Sequence, residues 1–277
     1  MEVKLANKDI LIITVNFHNS EKTIELLNSI SKNKKIELWV EDNESTKASF
    51  NSLKSQILDF EFNISIFPHT ENNYYWGAFN KALSRLPKDF ETWPEWIIIC
   101  NNDIQIDTNF FKKLSKLDYK KCHIIAPSII SSEKNKDLNP FFEKPFTKIE
   151  KLYYALVYLN KYFSLIIQFF GSKVNKIRNS FHSNTKIEKV IYAPHGACMV
   201  FSKHFFIKGG YLDTNFKMFG EEISTAEIAK KIGALIIYKP ELIVKHFDHN
   251  STKNISWDLL YEISKETYTH LKKTYKF

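Results

Sequence analysis

Asp9 to Asn16 is an almost unbroken apolar run, the pattern of a strand covered on both faces. Ser20 opens a stretch with helical spacing through Ile30 and has the chemistry of an N-cap. Ile36 to Glu41 predicts a second strand, and the polar turn Asp42-Asn43-Glu44-Ser45 leads into a helix over Lys47 to Leu58. Phe62 to Phe67 predicts a third strand, Trp76 to Leu86 a third helix and Trp96 to Cys100 a fourth strand, which ends at Asn101-Asn102-Asp103. Strands alternating with helices in this order predict an α/β fold, a Rossmann-like, doubly wound and mainly parallel sheet with helices on both faces. Such sheets bind ligands at the carboxyl ends of their strands, near a switch in strand order. Asn16, Asp42, Asn43 and Asn101 to Asp103 therefore fall on one rim.

The second half is less regular. A helix followed by a strand, His123 to Ile130, accounts for residues 104–135. Residues 146–181 are aromatic and lysine-rich with helical character. Ile191 to Phe201 is apolar but broken by Pro194-His195-Gly196. A helix over Ile223 to Ile232, short strands at Leu235 to Tyr238 and Leu242 to His246, and a helix over Trp257 to Tyr275 complete the pattern. No repeat or low-complexity linker divides the chain, so one domain is expected. It would comprise a first half over 1–103 and a second over 104–255, with an insertion near 146–181 and a terminal helix over 256–277.

Composition narrows the class. Of the 277 residues 44% are hydrophobic and 25% charged, which excludes a disordered or collagen-like chain. The formal net charge of +8 suits anionic substrates, nucleic acid or a membrane face without choosing among them. Cys100, Cys122 and Cys198 form no CxxC pair and read as buried small hydrophobes in a reducing compartment. Met1 to Lys8 has no apolar signal core, and no apolar run reaches the roughly 18 residues of a membrane span. A cytoplasmic location is expected.

Several polar groups are candidates for chemistry. Asp103, just past a buried strand, can ligate a hard cation, although the motif alone reads more readily as a polar turn. Asp42 can accept from a base or ribose, or can open the next helix as an Asx turn. Gly77 at a helix start, flanked by Asn73 and Asn80, implies a close backbone approach or a tight cap. His195-Gly196 marks a bend that exposes backbone and imidazole. Glu221 and Glu222 open a helix, where the macrodipole favours carboxylates and either can serve as a general base. His246 closes an apolar strand, with Asp248, His249 and Ser251 behind it, and can ligate metal or phosphate.

Taken in order along the chain, these segments resemble the inverting glycosyltransferases of family 2, which have the GT-A fold, and among them the bacterial rhamnosyltransferase-like branch. The likeness runs from about Ile10 to Ser251. Thr14-Val15-Asn16 matches the opening strand, Asp42-Asn43-Glu44-Ser45 the D-N-x-S motif, and Asn73, Gly77 and Asn80 a glycine- and asparagine-bearing segment. Asn101-Asn102-Asp103 matches the metal motif, Gly196-Ala197-Cys198-Met199 the G-A-x-M strand, and Gly209 to Glu222 the G-G-F-D segment that ends in the base. His246 and Ser251 match the late histidine motif. Of seven glycines, Gly77, Gly196, Gly209, Gly210, Gly220 and Gly233 fall on or beside these motifs.

The resemblance implies a nucleotide-diphosphate sugar (UDP- or dTDP-linked) lying across the strand ends. Asp42 and Asn43 would hold base or ribose, with Thr14 and Asn16 lining the pocket. Asn73, Gly77, Asn80, Asn101, Asn102, His195 and Gly196 would surround the donor, and Asp103 with His246 would hold Mg²⁺ or Mn²⁺. Glu222, or else Glu221, would take the proton from an acceptor hydroxyl on a bacterial glycan or lipid-linked sugar. Two departures stand out: the metal motif has one carboxylate, and the base motif is Glu-Glu where the family has Glu-Asp. Residues 146–181 have no counterpart in the family core and carry the pattern of an interfacial basic helix, or of a helical insertion packed on the sheet. Other classes fit less well. A nucleotidyltransferase needs a glycine-rich loop after the first strand, where this chain has His18-Asn19-Ser20. A catalytically silent binding module is compatible with Asn101 and Glu222. The basic residues are too dispersed for a nucleic-acid site.

Overall fold

The computed structural model describes residues 8–31, 33–58, 60, 63–162, 164, 186–247 and 256–277. Four parallel strands form its first half: β1 (Ile10–Asn16), β2 (Ile36–Asn43), β3 (Asn63–His69) and β4 (Trp96–Asn101). They lie in the order β3-β2-β1-β4, so the chain reverses its direction of winding between β1 and β4. The register sets Asn16 beside Asp42 and Val15 beside Asn101, which aligns the strand ends that were expected to share a rim.

The apolar runs lack strict alternation because both faces of these strands are covered. On one face Ile10, Ile12, Leu38 and Val40 pack with Leu26 and Leu27 of α1 (Ser20–Ser29) and Leu53 of α2 (Lys47–Ile57). On the other, Leu11, Ile13, Trp39 and Ile97 pack with Trp76 and Phe79 of α3 (Tyr74–Leu83). Truncating Leu27, fully buried here, to alanine would cost about 2–5 kcal/mol. Asn19, rather than Ser20, caps α1, its side chain accepting from Lys22 N. Glu41 is fully buried on β2 and is held by His69 of β3 and by Arg85 just beyond α3, each at 2.6 Å. That carboxylate locks the ends of β2 and β3 to the helix that follows.

The second half adds β5 (Ile104–Ile106), α4 (Phe110–Leu114), β6 (Ile124–Ser131), α5 (Lys148–Val157), β7 (Lys189–Ile191), β8 (Cys198–Ser202), α6 (Lys203–Ile207), α7 (Glu221–Lys231), β9 (Ile236–His246) and α8 (Trp257–Tyr275). The sheet continues β4-β8-β6-β9-β5, with β7 also on β9, and β8 runs antiparallel to β4. Two predicted strands prove to be one. β9 runs through Lys239-Pro240-Glu241, and its pairing jumps from Pro127↔Lys239 to Ser128↔Ile243. This irregularity absorbs the proline, which has no N–H for the ladder. β5 was not predicted, because three residues carry too little pattern. It pairs antiparallel with β9 and sets Ile104 opposite His246, which brings the neighbouring Asp103 to the same place.

Candidate functional site

The strand ends are joined by a chain of side-chain hydrogen bonds. Asn102 Nδ2 donates to Thr23 Oγ1 (3.0 Å), Thr23 donates to Asn16 Oδ1 (2.9 Å), and Asn16 Nδ2 donates to Asp42 Oδ1 (2.6 Å). Ser45 donates to the same Asp42 oxygen at 2.7 Å. Thr14, Asn16, Asp42 and Asn43 are all buried in this structure, and Asn16 lies behind Asp42 as its hydrogen-bond donor. Asn16 acts by fixing the rotamer of Asp42.

Asn43 forms a second web. Its amide donates to Tyr74 O (3.0 Å) and Asn72 Oδ1 (3.3 Å), and its carbonyl accepts from Asn73 N at 3.4 Å. The next residue, Tyr75, donates its hydroxyl to Gly196 O at 2.7 Å. Asn80 is exposed further along α3. A Cβ at Gly77 would meet only Asn73 Cβ, at 3.5 Å, so the close approach expected there is not required by any described neighbour. His18, Glu44 and Tyr74, which follow β1, β2 and β3, all have positive φ, of 54°, 52° and 54°. Side chains seldom adopt this region, and strained residues gather at functional sites.

Asp103 and His246 converge beside this rim. His246 Nε2 lies 3.3 Å from Asp103 Oδ1, an oxygen buried without a hydrogen bond among the described residues. The backbone holds both in place, since Phe247 N donates to Asp103 O and Ser132 N to His246 O, each at 2.9 Å. Adjacent ligands of an octahedral ion with bonds of about 2.1 Å are about 3.0 Å apart, so the pair fits one divalent cation. A carboxylate with an imidazole suits Mn²⁺ better than Mg²⁺. No cluster of three or more His, Cys, Asp or Glu side chains occurs among the described residues, so the protein would contribute only part of a coordination shell. Asp248, His249 and Ser251 lie outside the described residues.

His195 connects this pair to the carboxylates. Its ring lies edge-on to His246, with centroids 6.1 Å apart, and its Nδ1 accepts from Ala197 N at 3.1 Å. Asn139 Oδ1 accepts from His195 N at 2.8 Å and so holds the bend. The next N–H, that of Gly196, donates to Glu222 Oε1 at 3.2 Å. Gly196 thus joins Tyr75 of α3 on its carbonyl and Glu222 of α7 on its N–H.

The two carboxylates of α7 differ. Glu221 is turned back, accepting from Gly220 N at 2.8 Å, and caps its own helix. Glu222 faces a pocket of about 200 Å³ between the segment around Phe141, α5 and α8. Burial, reinforced by the charge of Glu221, pushes the Glu222 carboxyl up to about 8. Asp213, on the loop before α7, accepts from Tyr275 OH (2.5 Å) and faces His270 Nε2 (2.8 Å), while Thr267 donates to Met218 O at 2.8 Å. The terminal helix therefore clamps the loop that carries the carboxylates. The cysteines are buried, and burial pushes the Cys100 thiol up to about 12, which leaves it no part as a nucleophile.

Thr23, Ser45, Tyr75 and Asn139 hold the site without having been singled out in the sequence as site residues. Only Ser45, inside the D-N-x-S match, carried a local signal. The others act through contacts between elements distant in sequence.

The molecule is an α/β protein whose strand-end rim carries a carboxylate–histidine pair, with a buried glutamate on α7 joined to it through Gly196. Residues 10–205 match glycosyl transferase family 2, and the chain belongs to that family. The match ends before Asp213, Glu221 and Glu222. No curated protein sequence matches the chain. Among solved structures it is similar to GalNAc-T7 with UDP, GalNAc and Mn²⁺, at 14% identity and a TM-score of 0.64, over 98% of this chain and 49% of that one. It is also similar to the mannosyltransferase PcManGT from Pyrobaculum calidifontis with GDP-Man and Mn²⁺, at 14% identity and 0.52, over 90% and 59%. A third likeness is to TarS of S. aureus, at 12% identity and 0.56, over 95% and 40%. The fold is the GT-A fold, and the chain spans about half the length of these proteins. No helix among the described residues is long and apolar enough to cross a membrane.

Proposed function

We propose that the protein is an inverting glycosyltransferase that moves a sugar from a nucleoside-diphosphate donor to an acceptor hydroxyl. The observation that carries this reading is the convergence of Asp103 and His246, 3.3 Å apart, at the strand-end rim where the buried Asp42 also lies. Asp42, its rotamer fixed by Asn16 and Ser45, would accept from the base or ribose of the donor. Asp103 and His246 would hold Mn²⁺ or Mg²⁺, which when bound supplies Lewis-acid neutralisation of the diphosphate leaving group. Support for a metal and a sugar nucleotide comes from GalNAc-T7 and PcManGT, whose structures hold Mn²⁺ with UDP and GDP-Man respectively.

Glu222 would be the base. The acceptor oxygen bonds to the anomeric carbon, the bond from that carbon to the phosphate oxygen breaks, and the acceptor proton passes to the Glu222 carboxylate. A single displacement of this kind inverts the anomeric centre. Glu221 is less suited, because its carboxylate is bound to its own helix terminus.

The donor we favour is UDP- or dTDP-linked, and the acceptor a bacterial surface glycan or a lipid-linked sugar at the cytoplasmic face of the membrane. Ile149, Leu152, Leu156 and Leu159 recur on one side of α5 and its continuation and are exposed, Ile149 to 81%. With Lys148 beside them they support a peripheral contact with anionic lipid. The part of the 146–181 stretch at 163 and 165–181 lies outside the described residues.

The test is to incubate the protein and Mn²⁺ with UDP-, dTDP- and GDP-sugars and follow nucleoside diphosphate release and anomeric configuration by NMR. Mn²⁺-dependent release from one donor class, with inverted product, is expected. No release from any donor would favour a silent binding module, and nucleoside monophosphate with pyrophosphate chemistry would favour a nucleotidyltransferase.

A further inference from the structure

The pocket that Glu222 faces is walled by elements outside the part of the chain that matches the family: Phe219 before α7, and Tyr268 and Phe277 at the C-terminal end. Phe141, Tyr154 and Tyr158 close the other side. We propose that this pocket is the acceptor subsite and that it takes one neutral saccharide residue, stacked by its apolar ring face on the aromatic walls with a hydroxyl turned to Glu222. The inference rests on the transferase reading for the role of Glu222, but not for the occupancy of the pocket.

Three observations select this occupant. The first is size. About 200 Å³ is below the roughly 300–1,000 Å³ of sites that enclose drug-sized ligands, so the pocket holds a single ring rather than an extended chain. The second is charge. Among the described lining residues Glu222 is the one ionisable acid or base apart from the tyrosine hydroxyls, and none of them is a lysine, arginine or histidine. A phosphate or carboxylate placed there would lose its water beside another carboxylate, with no cation in compensation. An anionic sugar is therefore disfavoured and a neutral one accepted.

The third is the posture of Phe219. This bulky residue has φ 69°, a conformation unfavourable to it, yet its ring is 43% exposed and so gains little from burial. The strain places a partly exposed ring on the wall of the pocket, two residues before Glu221. A pyranose meets such a site on both counts, with C–H groups for the rings and a hydroxyl edge for the carboxylate. A plain hydrocarbon or aromatic group would offer Glu222 no hydrogen bond beyond the one from Gly196 N–H.

Saturation-transfer NMR on the full chain tests this. The probes are methyl glycopyranosides of glucose, galactose, N-acetylglucosamine and rhamnose, set against glucose 1-phosphate, methyl glucuronide and benzyl alcohol. Phe219→Ala and Phe141→Ala remove exposed walls at little risk to the fold, and Ser264→Trp fills the pocket. GDP and UDP binding with Mn²⁺ is measured on the same samples. At least one neutral glycoside should bind, and each variant should weaken it about tenfold or more while nucleotide binding stays intact. The proposal is overturned if no neutral glycoside binds, if the variants bind it as the parent does, or if the anionic sugars or benzyl alcohol bind as well. Absence of nucleotide binding in the parent would instead count against the transferase reading, and leave the glycoside result to stand by itself.

Discussion

The N–H of Gly196 donates to Oε1 of Glu222 at 3.2 Å, and a Cβ placed on Gly196 would come within 2.8 Å of the same oxygen. The glycine therefore does two things: it supplies the amide that orients the carboxylate and leaves room for it. Gly196→Ala should displace the carboxylate while leaving the fold intact. A misplacement of about 1 Å costs roughly 100-fold in rate, so kcat should fall by about 10–100-fold with Tm little changed. A Tm collapse with kcat retained in the folded fraction would contradict this role.

The pH dependence follows from the same residue. Burial, with the charge of Glu221, raises the Glu222 carboxyl from 4.5 to about 8. As a base it must be ionised, so kcat/KM should climb with pH through the range near 8 rather than near 4.5. The sign for stability is opposite. Between those values the folded state holds a proton that the unfolded state has lost, so stability falls as pH rises across the window. Glu222→Gln should abolish both the climb in rate, with a loss of about 10²–10⁴-fold, and the matching decline in stability. Rate against pH and denaturant titrations at several pH values check the two halves.

Asp213 titrates the other way. Burial pushes its carboxyl up, but hydrogen bonds from Tyr275, His270 and Asn215 outweigh burial and hold it below its usual value. Its contribution is present above the ordinary carboxylate range and is lost as pH falls through its lowered value. His270→Ala should cost about 1.5–3 kcal/mol, the worth of a hydrogen bond to a charged group. It should also lower kcat, because the loop between Asp213 and Glu222 loses its clamp. Denaturation midpoints and initial rates on the same variant test the link.

Much of the fold could be read from the chain. The buried runs at Asp9 to Asn16 and Trp96 to Cys100, separated by helical spacing, define the β3-β2-β1-β4 half because β1, β2 and β4 are covered on both faces. The rim followed from the strand ends. Other features had no local signature. β5 is three residues long, and it is β5 that sets Asp103 against His246. Asn139 and Tyr75 act on His195 and Gly196 from 56 and 121 residues away, distances over which no pattern is visible. Nor does any local pattern announce the burial of Asn16, which depends on its hydrogen bond with Thr23 of α1.

Removing the support behind Asp42 tests that network. Asn16→Ala would leave the Thr23 hydroxyl only its 3.4 Å contact with Asn19 O, and Asp42 without its shortest hydrogen bond, at 2.6 Å. It should cost about 1–3 kcal/mol. Nucleoside diphosphate affinity should fall as well, because Asp42 would no longer be held in one rotamer. Denaturation and calorimetric titration on the same sample separate the two effects.

The most direct measurement is thermal shift of the parent and of Asp103→Ala against UDP, dTDP, GDP and CDP, each with and without Mn²⁺. A ligand that binds only the folded protein raises its stability by about 2.7 kcal/mol at one hundred times its dissociation constant. The parent should be stabilised by one diphosphate, and more so with Mn²⁺. Asp103→Ala should keep its fold and lose the Mn²⁺ increment. No shift with any diphosphate, or an increment that survives in Asp103→Ala, would contradict a donor site built on Asp42, Asp103 and His246.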